Sequence, residues 1–204
     1  MKKAVKTNNN FKVDLNLVKM KDVTFNDNLF IPMKTKTIVD SLLSSEGGLF
    51  PGTNTVVIGD PGVGKSTVLL DWLANIQEQG KKVLFISGEM NDIDMYGYVK
   101  RFPKFGKLPI MFMNDYSNCP KQAVEQVLDQ GYDVVLMDSW AEVTSMIKDQ
   151  MGWARNKVES WLLELLEKNN KANNKAKKNT AFICIQQMTK AGEFAGSNRI
   201  KHMT

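Results

Sequence analysis

Gly59-Asp60-Pro61-Gly62-Val63-Gly64-Lys65-Ser66-Thr67 is the stretch that decides the fold of this chain. It fits the pattern G-x-x-x-x-G-K-[ST], a loop whose backbone N–H groups cradle phosphates. The apolar run Thr55-Val56-Val57-Ile58 precedes it, and Val68-Leu69-Leu70-Asp71-Trp72-Leu73 follows with helical character. Strand, loop and helix are the setting the pattern requires. Glycines let the loop close round an anion, and the helix that starts near Lys65 adds its positive end to the same place. Lys65 puts a point charge on the outer phosphates. Ser66 offers a hydroxyl to the magnesium ion that phosphates carry. The whole of Gly59, Asp60, Pro61, Gly62, Val63, Gly64, Lys65, Ser66 and Thr67 is therefore the expected nucleotide cradle, with ATP and Mg2+ as the expected cofactors.

Outward from that loop, four more apolar runs read as strands: Val83 to Ile86, Ile110 to Met113, Val134 to Met137 and Ala181 to Ile185. Helices are expected from Lys65 to Gln79 with Gly80 as the stop, from Ile93 to Phe102, and after Pro120 as far as Gly131. A further helix carries Val158, Trp161, Leu162, Leu165 and Leu166 on one face. Continuously apolar strands separated by amphipathic helices imply an α/β fold with a largely parallel, twisted sheet and helices on both faces. Ligands in such sheets bind at the carboxyl ends of the strands. Gly59, Glu89, Asp138 and Gln187 all stand at or just past such ends.

Each of these positions has a chemical reading and a plainer one. Asp138 ends an apolar run and can hold magnesium; alternatively it caps the next helix beside Ser139. Glu89 can polarise an attacking water as a general base, or be a solvent-facing loop residue. Gln187 can sense a terminal phosphate, and Gln186 points the other way if the strand continues. Lys168, Lys171, Lys175, Lys177 and Lys178 read as a solvated, mobile loop, with a basic finger on nucleic-acid phosphates as the alternative. Trp140, Trp153 and Trp161 read as core residues rather than stacking platforms. His202, the single histidine, has no cysteine partner nearby.

The amino-terminal residues 1–30 read as an arm, with Phe11, Val13, Leu15 and Leu17 alternating as a short strand, and residues 31–204 as the core. Ile38, Leu42 and Leu43 stand at helical spacing before a Gly-rich turn at 47–52. The formal charge of +5 permits a nucleic-acid partner without demonstrating one. No apolar run approaches the ~20 residues that cross a bilayer, and the basic start lacks the apolar stretch of a secretory signal. Cys119 and Cys184 make neither a zinc site nor a disulfide framework, so a reducing, cytoplasmic location is expected.

Taken together, these pieces resemble the ATPase core of the RecA superfamily, and within it the bacterial RadA (Sms) group. The resemblance rests on Gly47-Gly48-Leu49-Phe50-Pro51-Gly52, Gly59 to Thr67, Ser87-Gly88-Glu89-Met90, Arg101-Phe102 and Leu136-Met137-Asp138-Ser139. It continues with Gln187-Met188-Thr189-Lys190-Ala191-Gly192-Glu193-Phe194-Ala195-Gly196 and Ile200-Lys201-His202-Met203. It implies a RecA-like P-loop fold and an ATPase acting on single-stranded DNA as a ring or filament, with DNA-dependent hydrolysis. The implied roles are Lys65 and Ser66 on phosphates and magnesium, Asp138 on magnesium, Glu89 as general base and Gln187 as γ-phosphate sensor. The loop after Gln187, with Lys190 and Arg199, is the implied DNA contact.

Departures from the group stand beside this. The four-cysteine finger and protease-like domain of RadA are missing from the sequence, and Gln187 stands where RadA usually has His. The family continues past the His-Met segment with further strands and a Lys/Arg element that reaches a neighbour's ATP; this sequence ends at Thr204. A compact Lys/Asn-rich core of this kind would suit a phage replication or recombination protein. The competing readings are a nucleotide-dependent assembly switch with slow hydrolysis and a small-molecule P-loop kinase, though no Arg-rich lid is visible.

Overall fold

The computed structural model of the protein describes residues 15–23 and 26–187. Five strands form one sheet: β1 (Asn54–Gly59), β2 (Val83–Ser87), β3 (Ile110–Phe112), β4 (Val134–Asp138) and β5 (Ala181–Gln187). All are parallel, in the order β1-β5-β4-β2-β3. The expected α/β architecture of the RecA-like P-loop kind is therefore present. The helices are α1 (Asp40–Leu43), α2 (Lys65–Gln77), α3 (Asp92–Arg101), α4 (Pro120–Leu128), α5 (Trp140–Met151) and α6 (Arg155–Asn170).

The alternation of side chains along each strand divides the core into two layers. Val83, Phe85, Val134, Leu136, Ala181, Ile183 and Ile185 face α2, meeting Leu69, Leu70, Leu73 and Ile76. Leu84, Ile86, Val135, Met137, Phe182 and Cys184 face the other way, against Val124 and Leu128 of α4, Val143 and Ile147 of α5, and Val158, Leu162 and Leu166 of α6. Central strands buried on both faces cannot show the apolar–polar alternation of a half-exposed strand, which is why they read as continuous apolar runs.

Three expectations need correction or qualification. Residues from Met33 to Leu43 do not form a core-facing helix: α1 is a single turn, and Ile38 and Leu42 are among the most exposed side chains. The Asp40 carboxylate instead gathers the Thr35 N–H, the Thr35 hydroxyl and the Lys36 N–H, a side-chain turn that competes with helix. Met33 pairs with Leu49 in an antiparallel bridge. Second, α5 was not expected from the sequence. Its signal is Ser139-x-x-Glu142: the Ser139 hydroxyl accepts from the Glu142 N–H at 3.4 Å, the opening half of a capping box.

Third, the lysine-rich segment is solvated as expected, but it also carries ion pairs and a closed turn. Lys175 and Lys178 pair with Asp129 and Asp133 at 3.1 and 2.6 Å, and Lys168 lies 3.9 Å from Asp129. Lys171 pairs with Glu167. The Asn174 amide closes the turn, donating to the Lys178 carbonyl and accepting from its N–H. Trp140 is fully buried, and Trp153 and Trp161 are packed partly against the core. The arm residues Phe11 and Val13 lie outside the described residues, while Leu15 and Leu17 are exposed and not in a strand.

The turn at Gly131 is where this segment meets the sheet. Gly131 has φ +67°, and a Cβ there would lie 2.5 Å from the Asn174 Oδ1 and 2.7 Å from the Ala176 Cβ. Gly80 has φ +79° with open space around it. Gly80→Ala is therefore expected to cost only the left-handed penalty, about 1–2 kcal/mol. Gly131→Ala should cost at least ~1 kcal/mol more, since overpacking adds to the same penalty. Urea midpoints at unchanged slope measure both; equal losses would show that the lysine-rich segment yields freely.

Candidate functional site

The carboxyl edge of the sheet gathers the candidate residues because β5 lies between β1 and β4. Register pairs Gly59 with Gln187, and Ser87 with Asp138. The loop after β1 closes through Gly62 (φ +78°) and Gly64 (φ +91°), conformations that other residues adopt at a cost. Gly64 is the residue before α2, and no side chain caps that helix. Its first N–H groups therefore keep the positive end of the helix open to an anion.

Lys65 folds back over the loop, its Nζ donating to the carbonyls of Gly59 (2.9 Å) and Asp60 (2.7 Å). The Ser66 hydroxyl donates to Asp138 Oδ2 at 2.5 Å. Asp138 is buried, and Ser139, not Asp138, caps α5. The Asp138–Ser139 peptide is cis. Burial pushes the Asp138 carboxyl above its ordinary pKa, and the nearby Glu89 charge pushes the same way. The Ser66 hydrogen bond and the Lys65 charge pull against them.

Glu89 is exposed just past β2. The turn that presents it is set by Ser87, a buried residue to which the sequence reading gave no role of its own. Its hydroxyl accepts from the Met90 N–H and donates to the Met90 carbonyl, both at 3.1 Å. Beside it the Gly88 N–H donates to the Asp138 carbonyl at 2.6 Å, tying the ends of β2 and β4 together. Glu142 on α5 also reaches this turn: its Cβ would lie 3.0 Å from a Cβ on Gly88. The Ser139-x-x-Glu142 spacing was the signal for that carboxylate. The Gln187 amide donates to both Glu89 oxygens, at 2.9 and 3.1 Å. Gln186 is fully buried on the opposite face of β5. Strand parity thus assigns Gln187, rather than Gln186, to the edge.

The arrangement offers two hydrogen-bonded pairs, Ser66 with Asp138 and Gln187 with Glu89, beside a phosphate-sized loop. Ser66 and Asp138 are hard oxygen donors, a set that fits a magnesium ion retaining waters and phosphate oxygens. Among the described residues no cluster of three or more His, Cys, Asp or Glu forms a metal cage. No described helix is long and apolar enough to cross a membrane. Lys190, Arg199 and His202 lie outside the described residues.

No family model matches the chain. The chain is similar to the DNA repair protein RadA of Campylobacter jejuni, with 31% identity over 157 residues, 77% of this chain and 33% of that protein. It is similar to RadA of Chlamydia muridarum at 30% over 157 residues, 77% of this chain and 32% of the relative. A shorter match, 43% over 65 residues, links it to the DNA repair and recombination protein RadB of Methanobrevibacter smithii, covering 32% of this chain and 26% of the relative. The matched part of the chain spans about a third of the length of these RadA proteins.

The raised pKa of Asp138 makes a signed prediction. The folded chain holds this proton more tightly than the unfolded chain, so stability falls as pH rises from the unfolded value, ~3.9, through the folded one. Asp138→Asn removes that charge and keeps an acceptor for Ser66. In EDTA at neutral pH the variant is expected to melt above the parent, with the advantage shrinking as pH falls towards 4. Thermal melts across that range check it; a variant that melts lower at neutral pH would contradict the burial argument.

Proposed function

The chain is a RecA-superfamily P-loop ATPase core related to the bacterial RadA proteins, and on that premise we propose that it binds ATP with magnesium and hydrolyses it while acting on single-stranded DNA in recombination, repair or replication. The observation that carries this reading is the bridge from Gln187 to Glu89 across the strand ends, beside Lys65 and Ser66. Lys65 exchanges its loop carbonyls for the outer phosphates. Ser66 and Asp138 would hold the magnesium ion, which when bound would neutralise charge on those phosphates. Glu89 takes the proton of the attacking water. Gln187 responds to the γ-phosphate and hands the change to residues 189–199, outside the described residues, whose Lys190 and Arg199 meet DNA phosphates. The ion pairs of Lys175 and Lys178 with Asp129 and Asp133 favour residues 189–199 over Lys168–Lys178 as the DNA contact. RadA and RadB are named as DNA repair proteins, which supports a DNA partner here.

A second reading draws on the same bridge. Gln187 donates to both oxygens of Glu89 and so occupies the base until a nucleotide displaces it. A protein built this way can serve as an ATP-dependent assembly switch with slow turnover. Self-association as a ring or filament belongs to both readings.

Stimulation of ATP hydrolysis by single-stranded DNA is the deciding experiment: a clear increase supports the DNA-dependent ATPase, and a slow rate indifferent to DNA supports the switch. Lys65→Ala is expected to abolish hydrolysis. Glu89→Gln should bind ATP normally and turn it over at least ~100-fold more slowly, the scale of a general base. Weakened binding at unchanged turnover would remove Glu89 from the chemistry. Sedimentation with a non-hydrolysable ATP analogue should show a larger assembly than without it, since binding at a shared boundary favours association by mass action.

A further inference from the structure

On the α2 side of the sheet, remote from the loop edge of β1, α3 sits over a void. The void measures about 130 Å³ and is lined by Leu70, Phe85, Met95, Tyr98, Val99 and Phe105, with Gly106, Leu108 and Ile110 completing it. Its walls are nearly all apolar: the Tyr98 hydroxyl is the one side-chain polar group they include. Phe85, Leu70 and Phe105 form a buried floor. Val99 and Gly106 are exposed and stand opposite one another; a Cβ on Gly106 would lie 3.2 Å from Val99 Cγ1. They form the mouth.

A second, independent observation concerns the helix above it. None of the ten residues of α3 is buried, although Met95, Tyr98 and Phe102 turn towards the core. Aromatic contacts hold its far end, Phe102 stacking on Phe105 at 5.0 Å and Tyr98 lying 6.5 Å from the same ring. A helix with an apolar inner face that nowhere reaches full burial is seated above unfilled space.

We propose that this void is a binding site for one small uncharged apolar ring, of benzene to toluene size. The volume is close to that of an engineered apolar cavity of about 150 Å³ that stays dry and takes benzene. Water is held weakly there, because it needs two to four polar partners and the lining side chains offer only the Tyr98 hydroxyl. An apolar ring restores the dispersion contacts that the lining side chains lack. A charged or strongly polar ligand is excluded by the same walls, since its desolvation would go uncompensated. The site is separate from the residues assigned to nucleotide chemistry, so it does not depend on that assignment.

Toluene is the probe. Titrated into the full chain carrying 13C-labelled methyl groups, it is expected to give saturable shifts at Leu70, Leu108 and Ile110, with a Kd on the order of 1 mM. It should also raise the melting temperature, with the stabilisation growing as the logarithm of one plus the ratio of toluene concentration to Kd. Gly106→Ala, which narrows the mouth, should weaken binding about tenfold. Val99→Ala, which widens it, should admit a larger ring such as indole that the parent binds poorly. Absence of saturable shifts up to the solubility limit would overturn the proposal. So would shifts spread evenly over the methyl groups, or binding indifferent to both substitutions. Gly106→Ala adds one methyl and Val99→Ala removes two, both at exposed positions, so their melts report whether each still folds.

Discussion

The insertion of β5 between β1 and β4 is the constraint on which the carboxyl edge depends. Were β1 to pair with β4 directly, Gly59 and Asp138 would be neighbours and Gln187 would lie elsewhere. With β5 between them, Gln187 ends opposite Gly59 and reaches across to Glu89 past β2. The period of two does the rest. Ala181, Ile183 and Ile185 face α2, so Gln187 must face the same side, and Gln186 is committed to the opposite core. A slip of one residue in the β1–β5 register would bury Gln187 and expose Gln186.

The edge also holds a conflict between folding and chemistry. Asp138 sits at the end of a strand with no exposed residue, and that burial works against its charge. Ser66 and Lys65 relieve the conflict only in part. A carboxylate kept in this state is poorly solvated by the protein and therefore well disposed to a hard cation. The same reasoning explains the Ser66 contact: its hydroxyl donates to the buried oxygen.

Much of this was legible in the sequence because burial on both faces leaves an unambiguous mark. The apolar run Val134–Met137 stops at a carboxylate, and a strand end in a parallel sheet has few other meanings. What was not legible depended on pairing. Gln186 and Gln187 are chemically identical, and only the register of β5 separates them. The helix α5 was hidden because its buried positions, Trp140, Val143, Thr144 and Ile147, mix aromatic, β-branched and polar residues that read weakly as helix. Ile38 and Leu42 misled in the other direction, with helical spacing outvoted by the Asp40 turn. The pairs Lys175–Asp129 and Lys178–Asp133 join residues more than forty positions apart and leave no local trace.

Those pairs redistribute the electrostatic field of the chain. The segment richest in lysine faces carboxylates across its turn, so its charge is partly cancelled within a Debye length. Residues 1–36 hold eight lysines against three aspartates, which equals the whole formal excess of +5. The remaining residues balance, nineteen cations against nineteen anions. Seen from a distance, the molecule is a monopole carried by its amino-terminal stretch and attached to a neutral body. The long-range part of any attraction that net charge exerts on a polyanion would therefore originate in residues 1–36.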